Sequence, residues 1–162
     1  MVIIIMIKEE AAQLKVGVAV DVLWKALAHD LNRVIPHIQS DIVSAADVLE
    51  GDGGPGTVYL FTSTNSGKVK EKVAEVDACS HRIGLEVTEG GPLENGYGYH
   101  KTTFQLTSAG EEETVVDLTV AYEPRRHHAA APPPKTTANV LDFITLLEKF
   151  LADGAETGKI DS

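Results

Sequence analysis

Residues 68–77 carry the most informative polar side chain. Lys68, Lys70 and Lys72 alternate there with Val69, Glu71 and Val73. In an extended chain successive side chains point to opposite faces, so Glu71 belongs with the valines and away from the lysines. A carboxylate on an apolar face must be paired, hydrated or protonated, because desolvation disfavours its charge. A ligand N–H or hydroxyl is one way to satisfy it; solvent at the strand end or a cross-strand group is the other. In residues 97–106, His100, Thr102, Phe104 and Leu106 form one phase, and Tyr97, Tyr99, Lys101, Thr103 and Gln105 form the other. The phase that holds Phe104 and Leu106 is the more apolar near its end and turns inward. His100 is then either a polar hook in the interior or a structural histidine bonded to backbone. Glu71, His100 and Tyr122 are the groups able to act as acid or base if the interior does chemistry. The strand phases put Lys68, Lys70, Lys72 and Lys101 outside.

Three other features invite chemistry and point away from it. The run Gly51-Asp52-Gly53-Gly54-Pro55-Gly56 suggests a phosphate loop. Such a loop needs Gly-Lys-Ser/Thr opening a helix, whose N-terminus helps hold the anion. Here Thr57 leads into a β-branched and aromatic run without a lysine, so Gly51, Gly53, Gly54 and Gly56 are expected to form a rigid strand–strand turn. Adjacent His127 and His128 point apart and lack a third ligand at a metal-site spacing, so neither a metal nor a cofactor is expected. Cys79 sits in a turn with no cue for a reactive thiolate. As the lone cysteine it excludes an internal disulfide and fits a reducing, cytoplasmic compartment.

The elements that must position these residues follow from pattern and punctuation. Residues 12–18 alternate as a half-buried strand, with Ala12, Leu14, Val16 and Val18 on one face. Asp21 offers an N-cap for a short helix over residues 22–27. Pro36 restricts residues 31–39 to a second short helix. Strands are expected over residues 42–50, 57–61, 68–77, 82–89, 97–106 and 114–122, with turn-like separators at 77–80, 90–92 and 109–111. Such short links require antiparallel pairing, because parallel strands need long crossovers. A loop over residues 124–134 ends in three prolines. Thr136 or Thr137 then caps a long helix to about residue 151, with the apolar stripe Val140, Phe143, Ile144, Leu147, Phe150 and Leu151. The layer architecture is α+β: an antiparallel sheet covered on one face by a helix.

The chain has 162 residues, of a size for one domain with a sizeable core. It is 43% apolar and 23% charged, which excludes wholesale disorder. A net charge of −10, with Arg125–Arg126 the one adjacent basic pair, argues against nucleic acid as the main partner. Residues 1–7 (MVIIIMI) form an apolar extension without a basic leader region or a cleavage-like site, which argues against a signal peptide; Met6 is an alternative start to Met1. No stretch reaches the roughly 20 apolar residues of a membrane span. A single domain over residues 8–154, with a polar tail over 155–162, is expected.

This order, together with several segments, resembles the plant Bet v 1 or pathogenesis-related class 10 family. The segments are Glu50–Thr57 (EGDGGPGT), Val76-Asp77 and Glu89-Gly90-Gly91. A finer likeness is to its phytohormone-binding branch, the cytokinin-specific binding proteins. It rests on Leu23-Trp24, LEGDGG at 49–54, SHRIGL at 80–85 and YHKTTF at 99–104. The resemblance implies a seven-stranded curved sheet gripping the long C-terminal helix, two short helices after the first strand, and a large internal cavity. It implies a small apolar or amphiphilic plant hormone as ligand, a cytokinin, a gibberellin or similar, bound as carrier, buffer or sensor in plant defence, by a monomer or weak dimer. Glu71 matches the branch's inward, ligand-accepting glutamate. Val69 stands where the branch has glutamine, and Val140 and Phe143 stand where it often has threonine and tyrosine. These departures make the pocket more apolar and favour a terpenoid or indole. Leu23, Phe61, Leu85, Val87, Thr102, Phe104, Leu118, Val120, Tyr122 and Leu147 complete the expected lining. The superfamily also contains norcoclaurine synthases, which condense an amine with an aldehyde using a cavity lysine; the absence of an inward lysine weighs against that activity. Ribonuclease activity ranks lowest, because Val58-Tyr59 replaces the lysine often found after the loop.

Overall fold

The computed structural model describes residues 7–64, 67–124 and 137–153. Residues 1–6, the pairs Arg125–Arg126 and His127–His128, the proline run at 132–134 and the tail over 155–162 lie outside the described residues.

Strand β1 (Lys8–Val16) is followed by helices α1 (Val20–Ala28) and α2 (Leu31–Ile38). Strands β2 (Val43–Glu50), β3 (Val58–Ser63), β4 (Gly67–Asp77) and β5 (Arg82–Glu89) come next. A single 3-10 turn, Gly91–Glu94, links β5 to β6 (Tyr97–Gly110); β7 (Glu113–Pro124) and helix α3 (Thr137–Ala152) complete the order. The seven strands form one antiparallel sheet in the order β1-β7-β6-β5-β4-β3-β2. Consecutive hairpins build six of them, and β1 returns to close on β7, pairing Lys8 with Tyr122 and Val16 with Thr114.

One local expectation needs correction. Asp21 is not the cap of α1: Ala19 holds that position with extended backbone and no side-chain hydrogen bond. Asp21 sits in the first turn, where a negative charge suits the helix dipole. Pro36 lies inside α2, within the short helix expected over residues 31–39. The helix stops two residues later, so the missing N–H costs one bond close to the end.

The core is a contiguous cluster from all layers. Leu23, Leu27, Leu31 and Val34 come from the short helices, Val116, Leu118 and Val120 from β7, and Ile144 and Leu147 from α3; all are buried. The backbone of α3 makes its main approaches to β1, β7, α1 and α2. Polar ties fix that side: the Gly17 amide donates to Glu148 Oε2 at 2.7 Å, and Thr114 Oγ1 donates to the Val18 carbonyl at 2.7 Å. Where α1 meets α2, buried Asp30 holds Lys25 at 3.0 Å and also pairs with Arg33. The sheet's edges are β1 and β2, and β2 shifts register between Val43 and Ala45 and again between Val48 and Glu50.

The convex face carries the charges. Lys101 Nζ lies 3.1 Å from Glu75 Oε1, and Arg82 Nε lies 3.5 Å from the same oxygen. Gly84 makes room for this pair: a Cβ there would lie 2.7 Å from Lys101 Cε and 2.9 Å from Glu75 Cγ. The Lys101 ammonium, with Arg82 behind it, holds the Glu75 carboxyl below its ordinary 4.5. A lowered folded-state pKa gives stability that is complete above the unfolded value and is lost as pH falls through the folded value. Glu75→Gln is therefore expected to melt below the wild type at pH 7, the gap closing as pH falls from 4.5 toward 3. Parallel melting profiles across that range would show that the pair does not contribute.

Candidate ligand site on the concave face

The inward phases of β3 to β7 meet on the concave face. Register sets Glu71 of β4 opposite Tyr59 of β3 and Val87 of β5. It sets Thr102 of β6 opposite Leu85 and Val120, and His100 opposite Tyr122. The interior thus holds a carboxylate, an imidazole and a hydroxyl among apolar neighbours. Glu71 is 6% exposed, Thr102 1% and His100 0%. Thr102 Oγ1 is buried and has no hydrogen-bond partner among the described residues.

The remaining expected lining takes these places. Phe61, Leu85, Val87, Phe104, Leu118 and Val120 are buried on the strands, as are Leu23 on α1 and Val140, Phe143 and Leu147 on α3. Tyr122 is half-buried, its ring 5.9 Å from that of Tyr97 and nearly perpendicular to it. Val69 is half-buried at the sheet end beside the 3-10 turn, where a Cβ on Gly91 would lie 3.1 Å from Val69 Cγ2.

Sequence reasoning misplaced one residue here and overlooked two. Tyr97, assigned to the outward phase, is buried at 1% exposure. The pairing slips between Tyr97 and Tyr99, so Gly98 forms a bulge and reverses the alternation. An isolated glycine inside a strand pattern is the signal for such a bulge. Tyr59 shares parity with Phe61 and is equally inward; their rings lie 5.9 Å apart. Burial, and then the Asp30 carboxylate, raise the Tyr59 phenol above its ordinary 10.0. Burial, with Tyr122 beside it, raises Tyr97 likewise. Asp30 gave no sequence signal, since its burial depends on the angle between two helices.

The glycine-rich segment is a structural turn. Gly51, Gly53 and Gly56 have φ of 88°, 103° and 87°. A Cβ on Gly51 would lie 2.7 Å from Thr57 Cα, so both the conformation and the space require glycine there. The turn's amides are used internally: Gly53 N donates to Thr57 Oγ1 at 2.9 Å, Gly54 N to Asp52 Oδ1 at 3.1 Å, and Gly56 N to the Val73 carbonyl at 2.8 Å. Gly54 is not among the positive-φ glycines, so its backbone does not require glycine. A cleft of about 390 Å³ separates this turn from Trp24 and His29 of the α1 side. Another of about 290 Å³ lies on the convex face over Arg82, Tyr99 and Lys101. Among the described residues no group of three or more His, Cys, Asp or Glu is placed to hold a metal. No helix of the described residues is long and apolar enough to cross a membrane.

Known proteins share this fold. The chain is 32% identical over 106 residues to the major strawberry allergen Fra a 1-E of Fragaria ananassa, across 64% of this chain and 66% of the allergen. The chain thus spans just under two thirds of that relative's length. Among solved structures, norcoclaurine synthase from Thalictrum flavum, in complex with dopamine and hydroxybenzaldehyde, superposes with a TM-score of 0.80 at 21% identity, covering 94% of this chain and 90% of the other. Ginseng major latex-like protein 151 from Panax ginseng superposes with a TM-score of 0.72 at 19% identity, covering 90% and 95%. At those identities the structures share the fold. The model of the pathogenesis-related protein Bet v 1 family matches residues 8–153, from β1 through α3, and the chain belongs to that family.

Proposed function

We propose that the protein binds a small apolar or amphiphilic plant hormone, a cytokinin, a gibberellin or similar, on its concave face, as carrier, buffer or sensor without chemical turnover. Proteins of the Bet v 1 family are typically ligand-binding. The observation that carries the reading is Glu71, a buried carboxylate on the inward phase of β4 beside Tyr59 and Val87. Apolar walls provide about 25 cal/mol per Å² of ligand surface removed from water, and a few polar groups set orientation. Buried Val140 and Phe143 add apolar wall from α3. A cytoplasmic monomer or weak dimer fits this role.

Amine–aldehyde condensation is the second reading, and the superposition on norcoclaurine synthase is its support. The lysines weigh against it: Lys101 pairs with Glu75 and Lys70 pairs with Glu89 on the convex side, and no lysine is among the buried residues described. The test is calorimetric titration with a cytokinin, a gibberellin, an auxin, abscisic acid and an indoleamine. Saturable one-to-one binding of at least one compound is expected. No binding of any of them overturns the carrier reading and makes the condensation assay the next experiment.

A further inference from the structure

Thr102 stands out within the interior. Its hydroxyl is buried, faces the concave side between Leu85 and Val120, and has no hydrogen-bond partner among the described residues. Leaving a buried hydroxyl unbonded is costly, and such a group in a native interior calls for an explanation. Local structure does not supply one. Thr102 lies in the middle of β6, in unbroken register with both neighbouring strands, so no bulge or turn strains it into place. Thr114, the buried threonine near the start of β7, shows the alternative: its hydroxyl donates to the Val18 carbonyl and ties two elements together.

We infer that Thr102 is a specificity-determining residue that hydrogen-bonds a neutral hydroxyl on the bound ligand. The inference rests on the carrier reading and narrows it. A threonine hydroxyl both donates and accepts, so it matches another hydroxyl in either sense. The charge of the ligand at this place follows from the buried polar set, whose titratable members are Glu71, Asp30 and His100, with no lysine or arginine among the described residues. A ligand carboxylate at Thr102 would be buried without a lysine or arginine to pair with it, which is unfavourable, whereas a hydroxyl carries no such cost. Position follows from register. Thr102 is two strands from Glu71 and one side-chain repeat along, because Glu71 pairs with Val87 while Thr102 pairs with Leu85. At strand spacings of about 4.8 Å and rises of about 3.3 Å, that is roughly 12 Å between backbones. The ligand class is a flat or fused-ring apolar body with a hydrogen-bond donor at the Glu71 end and an uncharged hydroxyl at the other.

The experiment uses the full chain and two matched pairs of neutral probes, each pair differing by one hydroxyl. They are trans-zeatin with N6-isopentenyladenine, and a 3β-hydroxylated gibberellin methyl ester with its 3-deoxy parent ester. On the wild type the hydroxylated member of a binding pair is expected to bind about tenfold more tightly, as one buried hydrogen bond warrants. In Thr102→Val that advantage disappears, and in Thr102→Ser it persists. The ligand-free Thr102→Val protein is expected to melt at the wild-type temperature or above, since the substitution removes an unbonded hydroxyl at nearly constant shape. If a pair binds and the hydroxyl advantage survives in Thr102→Val, the inference falls while the carrier reading stands. A Thr102→Val protein that melts several degrees lower also overturns it, by assigning the hydroxyl to the fold. If no probe binds the wild type, the inference falls together with the carrier reading for these scaffolds.

Discussion

Replacing Leu147 by alanine is expected to cost about 3–5 kcal/mol of stability, the upper part of the range for leucine truncations in a core. Leu147 is 0% exposed on the face of α3 that also carries Ile144. The helix is held mainly against β1, β7, α1 and α2, so this strip carries most of its attachment. A void there has little room to collapse, because Val116, Leu118 and Val120 stand on a strand paired on both sides. The expected result is a lower urea midpoint at unchanged slope, the sign of lost stability without a change in the surface exposed. Leu146→Ala is the control. Leu146 is 42% exposed, and its loss is expected to stay within about 0.5 kcal/mol. Equal midpoints for the two variants would mean that α3 is not anchored by this face.

The second large effect concerns binding. Glu71→Ala is expected to weaken the affinity for whichever hormone titrates in the panel by about 10- to 100-fold. A hydrogen bond to a charged acceptor contributes roughly 1.5–3 kcal/mol, and a ligand donor left unbonded in the interior adds its desolvation cost. Glu71→Gln keeps the length and one acceptor oxygen while removing the charge, so its affinity is expected to fall between the two. Titration calorimetry on the three proteins checks this. An affinity for Glu71→Ala within twofold of the wild type would place the ligand elsewhere and return Glu71 to a structural role.

Much of this architecture was legible because it follows from periodicity and punctuation. The alternation of lysines with Val69, Glu71 and Val73 placed a carboxylate on the apolar face, and Glu71 is buried there. Short separators required hairpins, and the sheet is antiparallel throughout. What escaped depends on exceptions to period two or on tertiary angles. Tyr97 changed face because Gly98 bulges, and a parity rule fails beyond any bulge. The cap of α1 moved to Ala19 because the chain enters the helix straight from β1, with Val18 tied to Thr114. The unbonded hydroxyl of Thr102 could not be read at all from sequence, since only the positions of its neighbours show that none of the described residues bonds it.

The two register slips in β2 bear on how copies of this chain meet one another. An open sheet edge invites self-association, because a regular row of unpaired amides and carbonyls recruits the same strand from another copy. Val48 and Leu49 are exposed on this edge and would favour such recruitment. The slips at both ends of β2 leave a short regular row between them, and Asp47 and Glu50 place like charges on any copy that approaches in register. The irregular pairing of β2 therefore makes this edge a poor template for a strand of another copy.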